Sequence, residues 1–150
     1  MKHKLLMSLL LILLSSCNLP PIIMSVTGTV DGTNLNINFD TFQSAEGGVL
    51  TFSNGDGDTL IFKLAPLAPG SVNITGTNTM TGTFNVLSAE GAMTQLQFED
   101  TDVGFININS VSGTPPNVTN MTASFQVNVK PAGVPSSTLN QGSIIGTINF

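Results

Sequence analysis

The chain has 150 residues, with one cysteine, one histidine, no tryptophan and no tyrosine, and it carries four basic against nine acidic side chains for a net charge of −5. Binding a phosphate backbone needs a basic face, so this balance excludes nucleic acid as an expected partner. There is no arginine and the single histidine is His3. The body of the chain therefore lacks the commonest general base, any Ser-His-Asp or Cys-His arrangement and the best zinc ligands.

The first segment, "MKHKLLMSLLLILLSSC", begins with Lys2 and Lys4, continues through an apolar stretch at 5–14 and ends on the small residues Ser15 and Ser16. Charged, apolar, small is the order of a secretory signal, and the stretch is shorter than the roughly 20 residues that span a bilayer. Leu14-Ser15-Ser16-Cys17 resembles the lipobox of bacterial lipoproteins. That resemblance implies a diacylglyceryl thioether on Cys17, cleavage just before it and acylation of the new amine. Only a strong nucleophile makes the thioether, and small neighbours suit a narrow peptidase pocket. Each buried methylene contributes about 0.8 kcal/mol, so several acyl chains make a lasting membrane anchor. Within that family, Asn18 in place of aspartate points to the outer membrane, and the acid-free "NLPPII" leans to its periplasmic face. The expected organisation is a signal peptide over 1–16, a proline-stiffened lipidated tether over 17–24 and one β domain over 25–150.

From Met24 onward the hydrophobic period is two. "VTGTVDGTNLNINF" predicts a hairpin about a type I′ turn at Asp31-Gly32, with Leu35, Ile37 and Phe39 on one face and Asn34, Asn36 and Asn38 on the other. A second hairpin is predicted over 49–64, with Leu60, Phe62 and Leu64 inward. Further strands follow at "SVNIT", "TFNVLS", "MTQLQF" and "GFININSV", the last with Ile106 and Ile108 opposed to Phe105, Asn107 and Asn109. In "MTASFQVNV", Met121, Ala123, Phe125, Val127 and Val129 alternate with polar residues, and "GSIIGTINF" closes the chain. Gly/Pro/Asn/Asp clusters separate these runs, and no helical pattern occurs after the signal. One apolar and one Thr/Asn face per strand predicts an all-β fold, an antiparallel β-sandwich of about eight to ten strands.

Three constellations could carry chemistry. "NGDGDT" resembles a calcium loop, but neither EF-hand register places both the glycine and the terminal glutamate correctly. A calcium site of another kind would need Asp56 and Asp58 to meet Asp100 and Asp102 of "FEDTD" at one end of the sandwich; otherwise the loop is a tight turn. Period-two threonines in "TGTNTMTGT" resemble one ladder of an ice-binding protein, where β-favouring threonine is the plainer account. The closing "SIIGTINF" resembles the last strand of an outer-membrane barrel, but the predicted strands are shorter than such barrels need and no Trp/Tyr girdle exists.

"TVDGTNLNINF", "GFININSVSG", "MTASFQVNV" and "LNQGSIIGTINF" together look like small Gram-negative envelope lipoproteins with no assigned activity, departing at Ala123 and Ile144 where those carry Gly and Phe. The expected function is a lipid-anchored, non-enzymatic binding or structural module for glycan or protein, without a cofactor beyond the lipid. A two-carboxylate hydrolase and a calcium-stabilised adhesin-like domain are the alternatives.

Overall fold

The computed structural model describes residues 21–75, 79–87, 91–133 and 141–150. The lipobox, Leu14, Ser15, Ser16 and Cys17, lies outside them. The strands are β1 (Met24–Val30), β2 (Thr33–Phe39), β3 (Thr41–Ala45), β4 (Val49–Ser53), β5 (Thr59–Lys63), β6 (Gly70–Asn73), β7 (Met80–Leu87), β8 (Met93–Ser112), β9 (Asn120–Pro131) and β10 (Gly142–Asn149). The fold is all-β, as expected. Asp31 and Gly32 both take positive φ (50° and 74°), the type I′ geometry that matches the twist of β1 and β2.

Every pairing is antiparallel, and nine strands form one continuous sheet in the order β2-β1-β10-β9-β8-β7-β5-β4-β3, with β6 pairing β8 off that path. The expected antiparallel sandwich is thus built from a single sheet folded on itself. Ring contacts locate the fold. β2 and β7 lie five strands apart, about 24 Å on a flat sheet. Yet the rings of Phe39 on β2 and Phe84 on β7 are 6.3 Å apart. Phe62 on β5 meets Phe125 on β9 at 5.0 Å, and Phe42 on β3 meets Phe150, just past β10, at 4.2 Å. The sheet thus curls until its halves share one phenylalanine-rich core.

β8 makes the crossing. Its first part, from Met93 to Glu99, pairs with β7, and Phe105 to Ile108 pair with β6 on the same side. Its register against β9 shifts between Asp100 and Gly104, a bulge that bends the strand. The two strands predicted at "MTQLQF" and "GFININSV" are therefore one long strand interrupted by this bulge. The edges also meet: β2 and β3 are joined by Asp40 alone. There Asn54 Nδ2 donates to the Asn38 carbonyl at 3.0 Å, covering part of the open β2 edge.

Two glycines admit the core aromatics. A Cβ at Gly82 would stand 2.2 Å from the Phe98 ring, and one at Gly146 would stand 2.4 Å from the Phe125 ring and 2.6 Å from the Ser25 carbonyl. Each faces its phenylalanine directly across the ladder. The apolar side chains point inward and the outward positions are mostly polar, the reverse of a lipid-facing barrel.

Candidate functional site

The loop from Asn54 to Asp58 is organised by its own side chains. Asn54 Oδ1 accepts the N–H groups of Asp56 (3.1 Å) and Asp58 (3.0 Å), the local bonding that suits Asn to turns. Asp58 is buried; its Oδ1 accepts Asn85 N–H of β7 at 2.7 Å and its Oδ2 accepts Asn54 Nδ2 at 2.8 Å. Asn85 Nδ2 returns a bond to the Asp56 carbonyl at 2.7 Å. The loop is thereby fastened to β7.

The other acidic pair sits at the β8 bulge. Asp100 is buried, and it accepts Met80 N–H at 2.7 Å and Asp102 N–H at 3.2 Å. Asp58 thus serves Asn85 and Asp100 serves Met80, five residues apart on one strand, or about 17 Å. Calcium holds its oxygens at about 2.3–2.6 Å. The fold does not bring Asp56 and Asp58 to Asp100 and Asp102. Among the described residues no group of three or more metal-ligating side chains converges. Glu99 points outward and pairs with Lys130 across the ladder at 3.2 Å.

Asp100 has a measurable signature. Burial raises its carboxyl above the ordinary aspartate range, the Met80 and Asp102 N–H groups oppose that, and the neighbouring Asp102 carboxyl adds to it. The folded state then binds this proton more tightly than the unfolded state. The associated stability is full below the unfolded pKa and is lost as pH rises through the raised folded value. Asp100→Asn is expected to remove that component. In denaturant melts at stepped pH, stability of the wild type should fall more steeply above the ordinary aspartate range than that of the variant. Parallel profiles would contradict this role.

The outward face of the half built from β2, β1, β10, β9, β8 and β6 is of another character. Its register aligns side chains in rows across the strands. One row reads Asn36, Thr27, Ile145, Gln126, Phe105, Asn73. The next reads Asn38, Ser25, Thr147, Ser124, Asn107, Ser71, and a shorter one reads Asn34, Thr29, Ser143, Asn128. None of these residues is charged. The described carboxylates lie elsewhere: Asp31 and Asp40 at chain reversals, Glu46 in the short 3-10 turn Glu46–Gly48, the two pairs above, and Glu99.

Three of the large apolar side chains left exposed belong to this face or its margin: Val103 (56%), Ile145 (50%) and Phe105 (42%). Val103, Gly104, Phe105, Gln126 and Asn128 line a hollow of about 300 Å³. A second hollow of about 340 Å³ lies beside Ile145, over Gly146. At the β2 edge the face runs into a groove of about 550 Å³ between Asn36 and Asn38 on one side and Asn54, Asp56 and Asn85 on the other, with Met93 exposed at its rim. The sequence had set Phe105 opposite Ile106 and Ile108. A phenylalanine on the polar side of an alternating strand was the available signal for this face, and Val103 and Ile145 gave none.

Comparison with known proteins found no matching family model, no matching curated protein and no matching solved structure.

Proposed function

We propose that this protein is a lipid-anchored, non-enzymatic binding module of the bacterial outer membrane, held through Cys17 and meeting a glycan or an envelope protein through its uncharged face. The observation that carries the reading is the partition of charge. An acidic domain leaves three aligned rows of one broad face free of charge while exposing Phe105 and Ile145 there. Phe105 and Ile145 stand along one row of hydrogen-bonding side chains, so the face offers apolar and polar contacts together. Both buried carboxylates, Asp58 and Asp100, accept backbone N–H groups, which supports structural rather than hydrolytic work for them.

Metabolic palmitate labelling tests the anchor, and crosslinking to envelope components tests the face. Label is expected on the wild type and absent from Cys17→Ala; an unlabelled wild type overturns the anchor. Lysines placed at Thr27 and Thr147, both exposed, should release the labelled protein's domain from its envelope partner in a crosslinking assay. Unchanged crosslinking overturns the face.

A further inference from the structure

We infer that the ligand of this face is a neutral polysaccharide, with the Phe105 ring as the platform for one pyranose and Gln126 and Asn128 as its hydrogen-bonding rim. The inference rests on the reading of the face as a binding surface and names its ligand class.

The chemistry narrows the occupant stepwise. An anionic polymer would need cations, and none stands in the three rows. The only outward cation on β9, Lys130, is held by Glu99. A cationic partner would be drawn to the acidic turns elsewhere on the domain. Protein-binding surfaces concentrate aromatics, Met and Arg at their centre. Here one Phe and one Ile stand among amides and hydroxyls along the central row.

A neutral sugar matches what is present. Each of its hydroxyls both donates and accepts, and so does each Asn or Gln side chain. The side-chain amides of Gln126 and Asn128 make no hydrogen bond among the described residues, and both line the hollow beside Phe105. A pyranose also has an apolar face of C–H groups, which fits against an exposed aromatic ring. Phe105 supplies the ring, and Gln126 is its direct cross-strand neighbour, about 5 Å away. The Gly104 bulge opens the hollow beside it. The second hollow, by Ile145, lies two strands further along the same row, about 10 Å from Phe105. Two hollows along one row suit consecutive or near-consecutive sugars of an extended chain better than an isolated monosaccharide.

The test uses the full chain purified in detergent and affinity electrophoresis through gels containing dextran, a soluble β-glucan, soluble chitin oligomers grafted to the matrix, or alginate. Retardation by at least one neutral glycan and none by alginate is expected. Phe105→Ala and Gln126→Ala should each weaken it by about tenfold, while Gln43→Ala, exposed on β3 in the other half, should not. Phe105 is exposed, so its variant is expected to keep the wild-type melting profile, which is checked alongside. Binding to no neutral glycan, stronger binding to alginate, or unchanged binding by Phe105→Ala overturns the inference. If lysines at Thr27 and Thr147 still abolish envelope crosslinking in that event, the face remains a binding surface and its partner is a protein. If they do not, the broader reading has failed as well.

Discussion

Phe62→Ala is expected to destabilise the domain by about 3–5 kcal/mol, a large share of what a single domain of this size possesses. Phe62 is fully buried on β5. Its ring stands edge-on to Phe52 of β4 at 6.2 Å and to Phe125 of β9 at 5.0 Å. The first contact is within one half of the sheet and the second joins the two halves. Truncation therefore removes transfer free energy and opens a cavity at a ring on which both halves depend. Close packing leaves no neighbour free to collapse into that space without moving a strand. Urea unfolding of the wild type and variant would measure the loss as a lower midpoint. A midpoint shift worth less than about 1 kcal/mol would mean that the halves do not share a core at Phe62.

The second large effect is expected at Asp58. Alanine there removes the acceptor for Asn85 N–H and for Asn54 Nδ2 together. Orphaning a buried donor costs about 1–3 kcal/mol, and charged acceptors lie toward the upper end, so a loss of about 2–4 kcal/mol is expected. Asn54 also holds the Asp56 and Asp58 amides and the Asn38 carbonyl. Its release would loosen the turn and uncover the β2 edge at the same time. Asp58→Asn keeps one oxygen for Asn85 N–H and should lose markedly less. The comparison is made by thermal and urea unfolding; equal stability of the Ala variant and wild type would remove the turn from the list of structural ties.

Much of the fold was legible because alternation decides which residues face inward. Leu60 and Phe62, or Met121 through Val129, are buried as their spacing demands. β3 was not foreseen. "TFQSA" has one large apolar side chain, Phe42, and its strand conformation comes from pairing with β4 and from the Phe42 contact with Phe150, which are long-range. The continuity of β8 was hidden for a related reason. "EDTDVG" reads as a loop, and only pairing on both sides carries the strand through its bulge. The turn at "NGDGD" was legible as a turn, whereas its distance from the acidic pair of the β8 bulge depends on which amides of β7 each pair reaches. The binding face shows the same limit. Each strand announces its polar side, but the rows exist only once the register sets Ile145 beside Gln126 and Gln126 beside Phe105.

Gly82 and Gly146 fix where this sheet is able to crease. One lies on β7 beside Phe98 of β8, the other on β10 beside Phe125 of β9, so the two bare positions flank the central strand pair on either side. A side chain on the concave surface there would prop the sheet open, and its absence lets an aromatic ring fill the inner angle instead. Curvature is then a property of two addresses in the chain rather than of its average composition. Sequence drift elsewhere on the outer surface can remodel what the domain touches while the angle between its two walls stays the same.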